Sequence, residues 1–118
     1  MKFSSELAKL DTAVALERLG GDEELLREVA GLFLDEYPML LHEIRQAASV
    51  RDADTLQRAA HSMKGSVSNF GADGVYQAAF TLEKKGRAGE LDGLDGCIEE
   101  LESALENIRP ALQMLAQA

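Results

Sequence analysis

Tryptophan is absent from this 118-residue sequence, cysteine and proline are scarce, and four Phe and two Tyr supply all of its aromatic surface. The single cysteine, Cys97, rules out an internal disulfide and suits a reducing compartment. Two prolines are too few for the turn-rich grammar of a β-sandwich or barrel. Uninterrupted apolar runs extend only a few residues, which leaves no candidate for a membrane span. No charged-then-apolar leader opens the chain, so the expected location is the cytoplasm. Basic residues are outnumbered, 12 Lys+Arg against 21 Asp+Glu, for a formal net charge of −9. So acidic a chain is poorly suited to holding a phosphate backbone, and nucleic acid is not an expected partner.

What the chain does contain is 46% apolar residues, dominated by helix formers. Residues 1–118 are enough for one core and are expected to form one domain. Apolar periodicity reads as helix almost throughout. A first short stretch carries Leu7, Leu10, Val14, Leu16 and Leu19 and is broken by Gly20-Gly21. Asp22 then fits an N-cap, with Glu23 and Glu24 where the helix dipole favours negative charge. A long stripe follows through Leu26, Val29, Phe33, Tyr37, Leu40, Ile44 and Ala47, with a kink or break expected just before Pro38. Asp52 or Asp54 starts the next helix, whose stripe is Leu56, Ala60, Met63, Val67 and Phe70, with Gly71 as its stop. A further helix is expected from about Ala72 to Lys85, with Val75, Ala79 and Leu82 inward and Tyr76 and Phe80 as further inward candidates. Gly86, Gly89, Gly93 and Gly96 suggest a looser connection, and the last helix runs from Leu94 past a second kink point at Pro110. The pattern predicts an all-α fold, an antiparallel four-helix bundle with a short N-terminal helix.

Functional signals lie where local rules are broken. Gly65 falls inside a helix, where it costs about 1 kcal/mol relative to Ala, yet Val67 and Phe70 continue the stripe beyond it. At about 100° per residue it lies roughly 40° round from His61, with Ser68 about 20° round on the other side. Lys64 and Gln57 share this face and Arg58 edges it, all away from the apolar stripe. An exposed imidazole beside bare backbone, with an ammonium one turn on, suits phosphoryl transfer. Imidazole, with a reference pKa near 6.5, is largely neutral at cytoplasmic pH and nucleophilic. A lysine offsets incoming phosphoryl charge, and a missing side chain lets a partner bring its own phosphate and metal close. Each residue alone has an ordinary explanation as solvated surface or helix packing; their coincidence on one face is what suggests a site.

The run His61-Ser62-Met63-Lys64-Gly65-Ser66, followed by Asn69-Phe70-Gly71-Ala72, closely resembles the signature of histidine-containing phosphotransfer (HPt) domains. Leu19-Gly20-Gly21-Asp22, Leu25-Leu26-Arg27-Glu28, Leu32-Phe33-Leu34, Asp52 to Ala60, and Leu82-Glu83 with Gly86 extend the resemblance over most of the chain. Met63 stands where Leu is common, and Val67 where a small residue is frequent. The resemblance implies a four-helix bundle acting as a phosphorelay intermediate, with His61 the phospho-acceptor, Lys64 its charge partner and Gly65 the position of close approach. It implies a response regulator receiver domain and a sensor or hybrid histidine kinase as partners. Mg²⁺ would come from the receiver, with no cofactor bound and no nucleotide site in this chain, so it is not itself an enzyme. A monomer is expected. The alternatives are a helical adaptor that binds response regulators without chemistry, and the phosphorylatable domain of a chemotaxis-type or hybrid histidine kinase.

Other candidates rank lower. Lys84, Lys85 and Arg87 would form a cationic rim with Arg58 and Lys64 if their helix packs beside that of His61, or would simply suit the dipole at a helix end; the expected docking residues are Gln57, Arg58, Gly65, Ser68, Lys84 and Lys85. His42 falls off its stripe and reads as solvated. Two His and one Cys far apart give no metal motif, Asp92 to Gly96 lacks calcium-loop spacing, and Gly20-Gly21 is not a phosphate-binding loop. Cys97 reads as core filler.

Overall fold

The computed structural model describes residues 10–117. Five α-helices lie within them: α1 (Thr12–Arg18), α2 (Glu23–Ser49), α3 (Ala53–Val67), α4 (Asp73–Ala88) and α5 (Leu94–Gln117). Leu7, assigned to the first apolar stretch, lies outside the described residues. Three aspartates cap the first three helices in the same way, each accepting from the backbone N–H three residues on. Asp11 takes Val14 N–H, Asp22 takes Leu25 N–H and Asp52 takes Thr55 N–H. Asp52 also accepts the Thr55 hydroxyl at 2.6 Å. These bonds hold its carboxyl below the usual carboxylate range.

The helices α2 to α5 pack in sequence, α2 also meets α5, and α5 sits diagonally across from α3. Connections of three to five residues between the long helices make neighbours antiparallel. One apolar cluster fills the bundle, drawn from a single stripe of each helix: Phe33 and Ile44 of α2, Leu56 and Met63 of α3, Leu82 of α4, Leu101 and Leu105 of α5. In α2 the inward side is shared by Ala30, while Val29 is only half-buried. In α1 the buried residue is Ala15, with Val14, Leu16 and Leu19 half-buried. Neither proline interrupts its helix: α2 continues unbroken through Pro38 and α5 through Pro110. Both rings face solvent, where water can serve the carbonyl left without its helical N–H.

Two glycines set the geometry around α3. After a single 3₁₀ turn (Ser68–Phe70), Gly71 adopts φ +64° and ends the rod. Asp11 N–H donates to Phe70 O at 2.8 Å, tying α1 to that turn. Gly86, read from sequence as part of a loose connection, is instead buried inside α4, which runs three residues past Lys85 and stops at Gly89 (φ +72°). A Cβ on Gly86 would stand 2.9 Å from Gln57 N and 3.1 Å from Ala53 O, so its bare Cα lets α4 press against the α3 backbone. Gly96 likewise belongs to a helix, α5.

Gly86→Ala should therefore destabilise the protein despite about 1 kcal/mol of added helix propensity. The obstacle is backbone that cannot rotate away, and overpacking of this kind costs about 1–3 kcal/mol. A lowered thermal midpoint checks it.

Candidate functional site

His61 sits on the outward arc of α3, with 67% of its side chain exposed. Its stripe neighbours Ala60 and Met63 are fully buried, so the ring is displayed by the same periodicity that builds the core. The ring is held from one side only. Nδ1 lies 2.6 Å from Oε2 of Glu83, a carboxylate on α4 that is only 2% exposed. In a neutral ring this contact places the proton on Nδ1, which donates to the carboxylate, and leaves the Nε2 lone pair free. Gly86 is one turn beyond Glu83, and the close α3–α4 approach it allows brings that carboxylate within reach of His61.

Two further cations share Glu83. Lys64 Nζ lies 2.7 Å from Oε1, and Arg87 Nη2 lies 3.5 Å from Oε2. Oε1 is sealed from solvent without a hydrogen bond of regular geometry, so the Lys64 ammonium is what compensates it. Burial pushes the Glu83 carboxyl up, but the hydrogen bonds and charges of Lys64 and His61 outweigh burial and hold it below the ordinary glutamate range. Lys64 is also tucked against aromatic faces, 4.7 Å from the Phe80 centroid and 5.9 Å from that of Tyr76. Lys84 Nζ lies 4.5 Å from the same Phe80 ring. Tyr76 and Phe80 are half-buried and serve this cluster of charges.

Beyond His61 the surface is open. No atom outside the local helix backbone comes within 4 Å of a Cβ built on Gly65. The Ser68 hydroxyl donates to Gly65 O at 2.7 Å, so it projects no free donor over that gap. A cavity of about 600 Å³ lies on this side, with Gly65, Lys64, Ser68, Arg18 and Tyr76 among its walls. Among the described residues, no group of His, Cys, Asp and Glu is placed to hold a metal ion, and no helix is long and apolar enough to cross a membrane.

The Hpt domain family model matches residues 28–111. The chain belongs to the Hpt domain family. Among solved structures it is similar to histidine-containing phosphotransfer protein B from Pseudomonas aeruginosa PAO1, with a TM-score of 0.83 and 28% identity over 92% of this chain and 94% of that one. The HPT domain of a sensor hybrid histidine kinase from Shewanella shares the fold, with a TM-score of 0.79 and 22% identity over 95% of this chain and 97% of that one. No curated protein matches the sequence. Histidine phosphotransfer in a phosphorelay is the function of this Hpt domain.

Of the expected site residues, the Hpt fold gathers His61, Lys64, Gly65 and Ser68 on one face of α3, with half-buried Gln57 on the α4 flank and exposed Arg58 on the outer edge. Lys64 is not the free surface ammonium its helix position suggested, since only 18% of its side chain is exposed. The basic group divides. Lys84 and Arg87 lie on the His61 side of α4, whereas Lys85 leaves the helix roughly 200° round from Glu83, away from that face. His42 is exposed and Cys97 half-buried against the core. The residue missed as a participant was Glu83. Its one signal in the sequence was position, four residues after Ala79 on the inward arc of α4; that the glycine a turn later is buried shows only in the structure.

The depressed folded-state pKa of Glu83 has a definite sign. The stability it contributes is present above the unfolded glutamate value of about 4.3 and is lost as pH falls through the lower folded value. Glu83→Gln should flatten that part of the acid-unfolding curve, measured as denaturant midpoint against pH.

Proposed function

We propose that His61 is the residue that accepts and donates the phosphoryl group, reacting through Nε2. The observation that carries this reading is a solvent-facing ring fixed at its other nitrogen by buried Glu83. The Nε2 lone pair forms the N–P bond while the P–O bond to a receiver aspartate, or to a kinase donor, breaks and returns its electron pair to the leaving oxygen. The ring keeps its Nδ1 proton and becomes a cation that Glu83 stabilises, and the reverse step returns the phosphoryl group to an aspartate. Lys64, one turn away, offsets the phosphoryl charge. Gly65 gives the partner's acidic pocket room to approach for in-line displacement.

In this reading the partners are a response regulator receiver domain and a sensor or hybrid histidine kinase. Mg²⁺ belongs to the receiver's site, and the domain acts as a cytoplasmic monomeric carrier without kinase activity of its own. Arg58, Gln57 and Lys84 form the rim that meets the receiver's acidic surface.

Incubation with a phosphorylated receiver should place acid-labile, alkali-stable phosphate on the wild type and none on His61→Gln. An adaptor without chemistry would instead keep its signalling output in that variant. Gly65→Ala separates stability from function. It should raise stability by about 1 kcal/mol through helix propensity while slowing transfer from the receiver, read from a melt and a transfer time course on the same protein.

A further inference from the structure

Glu83 is surrounded by cations of unequal standing. Lys64 is close and mostly enclosed, 2.7 Å from Oε1 with 18% of its side chain exposed. Arg87 is loosely engaged, 3.5 Å from Oε2 with 59% exposed. Oε2 already receives the His61 ring at 2.6 Å, so in the resting domain the guanidinium is surplus. That changes if His61 is the acceptor, on which this inference rests. A doubly charged phosphoryl group then arrives within a turn of Lys64, and one ammonium cannot serve both anions. To reach the phosphoryl oxygens it must leave Oε1, which is sealed from water and cannot be rehydrated in place. The ring, cationic once phosphorylated, answers Oε2 and is itself shared with the phosphoryl group, so Oε1 is left bare.

We propose that Arg87 is a positioning residue for phosphotransfer, a reserve counter-ion that closes onto Glu83 when Lys64 moves out to phosphorylated His61. Arg87 lies at i+4 from Glu83 on α4, the spacing at which a long side chain reaches an acid on the same helix face. Its planar fork can address both carboxylate oxygens, which a lysine's point charge does less well. The aromatic side of the cluster has a matching stand-in. Phe80 holds Lys64 and Lys84 at 4.7 and 4.5 Å from its ring centroid, so departure of the first leaves the second in contact. The resting cluster is thus built with one cation more than the buried carboxylate requires, waiting at Oε2 beside the oxygen that Lys64 must leave.

The test uses the full chain with phosphoramidate as the phosphoryl donor, comparing wild type, Arg87→Gln, Arg87→Lys and His61→Gln. Labelling and loss rates give the stability of the phosphorylated state, and ¹⁵N resonances report Lys64 Nζ. For Arg87→Gln the ratio of labelling rate to loss rate should fall about three- to tenfold, and Arg87→Lys, which keeps the charge without the fork, should recover part of it. The Lys64 Nζ signal should shift on phosphorylation of the wild type and shift less in Arg87→Gln. Equal ratios in wild type and Arg87→Gln, no recovery by Arg87→Lys, or a Lys64 signal unmoved by phosphorylation would each overturn the counter-ion exchange while leaving the acceptor role of His61 intact. Labelling of His61→Gln equal to wild type would overturn the acceptor role and the exchange with it.

Discussion

A carboxylate taken out of water must be answered by charge, and in this bundle that requirement organises the functional face. Glu83 is the one acidic residue buried among the described positions, and its partners come from two helices: His61 and Lys64 from α3, Arg87 from α4. Desolvation alone would favour its neutral form. Because the cations prevail, the carboxylate stays charged, and a charged carboxylate orients the imidazole through Nδ1. The imidazole, the acid that orients it and the ammonium are therefore one electrostatic unit. None of them holds its geometry without the close α3–α4 contact.

That contact depends on a residue with no side chain, and a second such residue does the opposite job on the facing rod. Gly86 is bare because backbone fills the space where a Cβ would be; Gly65 is bare although nothing fills it. The first absence serves packing. The second sacrifices helix propensity to leave an approach open, a cost consistent with a surface that must meet another protein.

Most of the architecture was legible in the sequence because it follows from periodicity. The stripe Leu56, Ala60, Met63, Val67 and Phe70 is buried in full, the caps at Asp22 and Asp52 form, and His61 emerges on the opposite arc for the same geometric reason. Errors arose where tertiary contact overrides a local rule. Gly86 looked like a break because glycine disfavours helix, yet neighbouring α3 backbone makes it the residue that fits. Pro38 looked like an interruption, but one lost hydrogen bond on a solvent-facing turn does not end a helix whose other side is packed along its length. Lys64 looked solvated because a helical wheel shows direction and not what the next helix brings to meet it. Glu83 belongs to the same class: the wheel turns it inward, but the cations that answer it are visible only once α4 is set against α3.

The division of labour among the helices has a practical corollary. The two rods bearing the charged cluster span 15 and 16 residues, while α2 and α5 span 27 and 24. α5, diagonally opposite α3, gives the apolar side chains of its inner arc to the common interior, and its exposed outer arc contributes nothing to the imidazole's surroundings. A fluorophore or affinity handle placed there, at Glu99 or Ser103 for instance, would report on the molecule without touching the face that displays His61.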